Sequence, residues 1–204
     1  MASRIQILRL SRLLSVLTIV LVLSSIFILP AYAKNTTGSF TSLSSFIESV
    51  KDGNASVLRG VYVQDVMALP VIQQPVESPG FVSQNNGQLT QFNMAAQAGN
   101  IGLLAHNYLS GNSFSQLKNG DVVILVYGDG HTESFSVTSV LQYQALDPNN
   151  INSEFKDLQT QATLSAEQLF NQVYRGERHV TFQTCIVKDG NFSWGRLFVI
   201  AEPM

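Results

Sequence analysis

The chain has a single thiol, Cys185, and three imidazoles, His106, His131 and His179, in 204 residues. A thiol at its ordinary pKa of about 8.5 is mostly protonated near neutrality, so a nucleophilic cysteine needs a cationic or basic neighbour. Arg196 is the cation that local sequence can bring to it. Residues 180–188 and 192–201 read as two apolar strands joined at Lys188-Asp189-Gly190-Asn191. An Asp-Gly pair between β-rich runs signals a hairpin, because the turn needs positive φ and glycine supplies it. Centring the turn there pairs Lys188 with Asn191 and Cys185 with Trp194. Alternation then puts Gln183, Cys185, Trp194 and Arg196 on one face, with Cys185 and Arg196 as diagonal neighbours roughly 7–8 Å apart. The competing reading of a lone cysteine is a small buried hydrophobe.

The histidines differ in what they can reach. His179 precedes Cys185 by six residues on the same strand, so it shares a face but lies roughly 20 Å away at about 3.3 Å per residue. His131 sits in a tight polar turn and reads as a solvated turn residue. His106 closes the apolar run Ile101-Gly102-Leu103-Leu104-Ala105 and opens a loop, the kind of place where rigid scaffolds hold working residues. It is the candidate partner for Cys185.

The rest of the chain must position these groups. Its length allows one domain with a sizeable core, and a formal net charge of −2 gives no electrostatic case for nucleic acid or anionic membrane as partner. Arg4, Arg9 and Arg12 precede an uncharged stretch over 13–33 that ends Pro30-Ala31-Tyr32-Ala33. Basic start, apolar middle and Ala-x-Ala end are the parts of a secretory signal peptide, cleaved before Lys34. The same stretch is just long enough to span a bilayer as an uncleaved anchor. Either way the remainder is exported, to be secreted or held at the cell surface by its N-terminus. In an exported chain a leftover cysteine points to intermolecular pairing or to a free reactive thiol.

Residues 34–57 read as a linker followed by a short amphipathic helix over 41–50, with Leu43, Phe46, Ile47 and Val50 at helical spacing. From residue 58 short strands and turns alternate. Segments 80–84 and 88–92 flank the turn signal Asn85-Asn86-Gly87, and 121–127 and 132–140 form a hairpin around Gly128-Asp129-Gly130-His131. Ser165 with Gln168 three residues on is a capping-box start for a helix over 165–174. Seven or eight such strands imply a mainly β fold, a closed or nearly closed barrel, because a domain of this size must not leave long edges unpaired. Both faces of the last hairpin are apolar, so both are covered. The connection over 140–180 is the natural cover for the second face.

The residues also resemble a known family. Thr181-Phe182-Gln183-Thr184-Cys185 resembles the sortase signature Thr-Leu-any-Thr-Cys, with Phe182 in the place of leucine. The run 102–107, Gly-Leu-Leu-Ala-His-Asn, is similar to the strand end that carries the sortase histidine, and 196–201, Arg-Leu-Phe-Val-Ile-Ala, to the strand that carries its arginine. The resemblance covers about 58–203 and implies a sortase-like β-barrel domain over 58–204. It implies that Cys185 attacks a peptide carbonyl to form a thioester and that His106 serves as general acid and base. Arg196 would hold the substrate backbone or oxyanion, and Thr184 would help shape the oxyanion site. Thr184 as a plain β-branched strand residue and Arg196 as a solvated strand charge are the bland alternatives. Trp194 reads equally as groove wall or core.

The activity implied is that of a cysteine transpeptidase. It would cleave a C-terminal sorting peptide of exported proteins and transfer it to an amine acceptor. The alternatives are a catalytically idle peptide-binding module of the same fold and a thiol peptidase with water as acceptor. No cofactor is implied. The residues offer no acidic cluster that argues for calcium, and one cysteine with scattered histidines is no zinc set.

Overall fold

The computed structural model describes residues 41–204. The basic and apolar N-terminal stretch and residues 34–40 lie outside them. Among the described residues no helix is long and apolar enough to cross a membrane.

An eight-strand ring forms the body. Its strands are β1 (Leu58–Val63), β2 (Met67–Gln73), β3 (Leu89–Phe92), β4 (Ile101–Leu104), β5 (Val122–Tyr127) and β6 (Thr132–Ala145). After two short strands, β7 (Phe155–Asp157) and β8 (Thr163–Leu164), come β9 (Val180–Lys188) and β10 (Asn191–Pro203). The order β10-β9-β4-β3-β2-β1-β5-β6 is closed by β6–β10 pairing, while β7 and β8 extend the sheet from β6. Closure removes the long unpaired edges, which is why the barrel is the expected solution. Two of the pairings, β2–β3 and β4–β9, are parallel.

The strands bury both faces, and each face has its own core. Inside the ring, Val61, Leu103, Leu125, Phe182 and Val199 are buried together. Phe182 alone, edge-on to Phe114 at 5.1 Å between ring centroids, contributes about 2–3 kcal/mol by burial. Outside the ring, Phe198 and Tyr143 pack with Phe155, Leu169, Val173 and Tyr174. The helix α3 (Ala166–Tyr174) supplies the last three. It begins at Ser165, whose side chain accepts from the Gln168 backbone while the Gln168 side chain returns to the Ser165 N–H. The 140–180 connection is thus the cover for the second face. The earlier helices are α1 (Leu43–Val50) and α2 (Asn93–Gln97), with a 3-10 helix over Ser110–Gln116. Ser42 caps α1, and Phe46 is its buried anchor. Phe46 sits so close that a Cβ on Gly60 would come within 2.8 Å of its ring.

One expected pair of strands is corrected. Leu89–Phe92 is a strand, but residues 80–84 are not, and β3 instead runs parallel to β2. The reason is polar and local. Gln74 is buried, and its amide nitrogen donates to the carbonyls of Pro79 and Phe81, while Ser83 N donates to Thr90 Oγ1. Those bonds draw the segment into an ordered loop, so it has no ladder to join.

Candidate active site

β4, β9 and β10 lie side by side with β9 in the middle; β9 and β10 carry Cys185 and Arg196, and His106 follows two residues after the end of β4. The β4–β9 register runs Ile101↔Val180 to Leu104↔Gln183. It is prolonged by Ala105 N donating to Gln183 O at 3.3 Å and by Thr184 Oγ1 donating to Ala105 O at 2.8 Å. The next position brings His106 level with Cys185. On the other side Arg196 is the direct partner of Cys185. Leu103, Phe182 and Leu197 point into the ring, so alternation turns His106, Cys185 and Arg196 to the outer face together. Neighbouring strands are about 4.8 Å apart. On the backbone, Cys185 therefore pairs with Arg196 on one side and faces the end of the β4 segment, just before His106, on the other. Cys185 is half-buried and free.

The direct Cys185–Arg196 pairing corrects the expected register, in which Cys185 faced Trp194. Lys188 does pair with Asn191 across the Asp189-Gly190 turn, where φ is 51° and 77°. Between Asn191 and Gly195 the register then shifts, and Gly195 pairs with Ile186. The cause is visible in the side chains. Asn191 Oδ1 accepts from Ser193 N at 2.9 Å, which loops the chain out. Arg196 Nη1 donates back to the carbonyls of Ser193 and Gly195 at 3.0 and 2.9 Å. Gly195 is required because a Cβ there would fall 2.5 Å from Tyr143 O on β6. A glycine inside a strand pattern is a signal of a bulge or close approach, and Gly195 was legible in that way.

The guanidinium spends one nitrogen on closing this bulge. Its carbon lies 6.0 Å from the Phe155 ring centroid. Among the described residues the ion pairs are those of Lys51, Arg59, His131 and Arg178, and none takes Arg196. The remaining N–H groups are thus uncommitted to carboxylate and available to a carbonyl or oxyanion.

Thr184 and Trp194 occupy different places from the three. Thr184 points into the ring, buried, with its hydroxyl given to Ala105 O. It clamps the strand end that bears His106. Trp194 lies in the looped-out stretch, with the Lys188 ammonium 4.7 Å from its ring centroid. His131 and His179 are accounted for elsewhere. His131 binds Asp129 Oδ1 at 2.5 Å, and the buried His179 has its ring nitrogens on the carbonyls of Glu177 and Val173.

Two further features escaped the reading of the sequence. Gly111 lets the 3-10 helix sit against the His106 backbone, since a Cβ there would lie 2.7 Å from Ala105 O and 2.8 Å from His106 O. Gln84 touches the His106 ring at 2.8 Å from a loop 22 residues upstream, and no local pattern announces it.

A groove of about 760 Å³ runs along the outer face, floored by Gln183 and Arg196 and walled by Phe92, Phe155, Phe170 and Ile151. Gln183 is fixed by the hydroxyl of buried Tyr174, whose pKa burial pushes up, so it stays a neutral donor. The groove is therefore a largely apolar trough with the Arg196 cation in its lining. Among the described residues no cluster of His, Cys, Asp and Glu is arranged to hold a metal ion.

The sequence profile of the sortase domain matches residues 63–204. No curated protein matches the chain. Among solved structures, the chain is similar to sortase A of Listeria monocytogenes, with 14% identity over 75% of this chain and 88% of that one and a TM-score of 0.46. It is also similar to the sortase D5 transpeptidase of Clostridium perfringens, with 11% identity, 80% and 89% coverage and a TM-score of 0.47. A third is sortase C1 of Streptococcus suis, with 13% identity, 79% and 78% coverage and a TM-score of 0.47.

Proposed function

Given that this chain belongs to the sortase family, we propose that it is an exported cysteine transpeptidase. It cuts a sorting peptide of exported proteins through a thioester on Cys185 and passes the acyl group to an amine. The observation that carries the reading is the strand order β4-β9-β10, with Arg196 directly opposite Cys185 and the β4 register prolonged through Ala105, the residue before His106.

The chemistry follows from those positions. The Cys185 thiolate attacks the carbonyl carbon of the scissile bond, and the carbonyl oxygen takes the negative charge. Arg196, a permanent cation that cannot act as a base near neutrality, balances that oxyanion or grips the adjoining backbone with its free N–H groups. The imidazolium of His106 gives its proton to the departing amine as the C–N bond breaks, leaving the thioester and a neutral imidazole. An incoming amine attacks the thioester, His106 takes its proton, and the Cys185 sulfur leaves as thiolate. Thr184 acts through Ala105, by holding the His106 strand end level with β9. Upstream peptide side chains lie in the apolar groove, where Phe155 and Phe170 favour a large aliphatic or aromatic group. The basic and apolar N-terminal residues 1–33 would carry the enzyme out of the cytoplasm and, if uncleaved, keep it at the membrane.

The test is to incubate the full chain in detergent with a library of sorting-type peptides, with and without a glycine-peptide amine, and follow products by mass spectrometry. One scissile bond should be cut, the acceptor should be joined to the new acyl end, and Cys185→Ala should abolish both. Cutting that leaves only the free acid in excess amine would assign water as the acceptor. Turnover that survives Cys185→Ala would overturn the reading.

A further inference from the structure

Thr181, Gln183 and Cys185 occupy alternate positions on the outer face of β9. The first two are bonded to α3. Thr181 Oγ1 donates to Val173 O at 2.6 Å, and the Tyr174 hydroxyl donates to Gln183 Oε1. The third is the half-buried free thiol.

The direction of the Tyr174 bond is fixed by its surroundings. Tyr174 is buried, and the rings of Phe92, Phe170 and Phe198 border it at 5.4, 5.2 and 6.3 Å between centroids. Among the described residues its hydroxyl has no partner but Gln183. A reversed carboxamide would turn its nitrogen to the hydroxyl and strand the hydroxyl proton in an apolar site, and a buried unpaired donor is costly. Gln183 therefore keeps its oxygen toward α3 and its NH2 toward the groove that it lines with Arg196. Among the described residues the only buried side-chain nitrogen or oxygen without a partner is Arg59 Nε. The Gln183 nitrogen, to which no protein acceptor among them is bonded, is thus open to the groove.

Spacing says what that donor can meet. Gln183 and Cys185 are roughly 6.6 Å apart along the strand, two steps of about 3.3 Å. An extended peptide has the same repeat, and its successive carbonyls alternate sides, so every second carbonyl points the same way. We infer that Gln183 is a substrate-binding residue whose NH2 donates to the main-chain carbonyl two residues upstream of the scissile one, while Arg196 faces the scissile one. Because the group recognised is main chain, the contact serves any side chain at that place and sets the register of the peptide on Cys185. This inference rests on the reading of Cys185 as the nucleophile of a peptide-cutting enzyme.

The test needs no turnover. The chain has one cysteine, so a thiol probe can be held there as a single disulfide. The probe is acetyl-Leu-Ala-Ala with its terminal carboxyl replaced by CH2–SH, supplied as the mixed disulfide with mercaptoethanol. It is equilibrated with the full chain in detergent and free mercaptoethanol, and mass spectrometry counts the adduct. A second probe carries an E-alkene in place of the Leu–Ala amide, which removes the upstream carbonyl. A third carries it in place of the Ala–Ala amide. The first probe should be favoured over the second by about three- to tenfold, the worth of one net hydrogen bond, and Gln183→Met should bring that ratio to one. The preference over the third should be the same in both chains. Gln183→Met leaves the Tyr174 hydroxyl unpaired, so Tyr174→Phe is combined with it to make both partners apolar, and the ratio should again be one. On a cleavable peptide Gln183→Met should lower kcat/KM by about three- to tenfold. A preference that persists without Gln183, is absent with it, or depends on it only at the third probe overturns the proposal. A preference that follows Gln183 in a chain that cuts no peptide would leave the contact standing and overturn the transpeptidase reading instead.

Discussion

Two hairpins of this barrel begin from nearly the same local instruction and end differently. β5 and β6 are joined through Gly128-Asp129-Gly130-His131, and β9 and β10 through Asp189-Gly190. In the first the register runs unbroken from Val122↔Ser136 to Val126↔Thr132. Its histidine is used up by its own turn, stacked on Tyr127 at 4.3 Å and bound to Asp129. In the second the ladder slips between Asn191 and Gly195, and that slip brings Arg196 opposite Cys185. The turn type is carried by a dipeptide in both cases. The aim of the side chains is carried by the departure from regular pairing, and bulges recur beside working sites for this reason.

The largest effect that can break this contrast lies at Arg196. Arg196→Lys should lower kcat/KM by about 10²–10³-fold, the loss typical of an oxyanion donor, while the chain still folds, as circular dichroism would show. An ammonium has no planar fork with which to bridge the Ser193 and Gly195 carbonyls while reaching toward a substrate. His131→Ala, in the regular hairpin, should leave the same rates within about twofold, as expected of a group occupied by its own loop. Wild-type cleavage by Arg196→Lys would remove the irregular hairpin from the chemistry.

A smaller effect sharpens the contrast in stability. Gly195→Ala would drive a Cβ to 2.5 Å from Tyr143 O, backbone that can yield only by parting β10 from β6. Urea unfolding should show a loss of about 2–3 kcal/mol, the upper part of the range for overpacking. Gly130→Ala meets only side chain, Lys51 Cδ at 2.8 Å and Ile47 Cγ2 at 3.4 Å, but carries φ of 93°, and about 1 kcal/mol is expected there. Equal losses would mean that the slip in β10 is no tighter than an ordinary turn.

These particulars mark where the sequence was readable. The Asp189-Gly190 turn, the Ser165 capping box, the closed barrel and the two-sided burial of the last hairpin rest on periodicity and turn chemistry, which act within a few residues. The adjacency of His106 and Cys185 does not. It depends on a parallel β4–β9 pairing between segments that lie 79 residues apart along the chain, and periodicity carries no information about which strands meet. The place of His106 at the mouth of a loop made it a candidate, and family resemblance strengthened the partnership; spacing along the chain supplied neither. The register error at Trp194 has a different origin, because Gly195 was available as a warning but turn rules assume a continuous ladder. Gln84 had no signal, since its contact with His106 exists only once Gln74, Ser83 and Thr90 have folded their loop.

The smallest effect concerns acid. The Asp129 carboxyl is held below its usual range chiefly by the His131 backbone N–H, then by the His131 ring. Asp52, whose backbone N–H docks on Gly128 O at 2.9 Å, is lowered chiefly by the Asn54 backbone N–H and then by Arg59. A depressed carboxyl adds stability above its unfolded pKa of about 3.9, and that increment is lost as the pH falls through the folded value. Both groups sit at the β5–β6 turn, where it meets the end of α1. Hydrogen exchange at Asp52, Gly53 and Gly130 should therefore speed up, beyond the intrinsic pH trend, below about pH 4, while the amides of Phe182 and Val199 keep their protection. Asp129→Asn should flatten the response at Gly130. If β9 and β10 lost protection over the same interval, the regular and irregular hairpins would open as one unit, and the separation between a structural turn and a working one would not hold energetically.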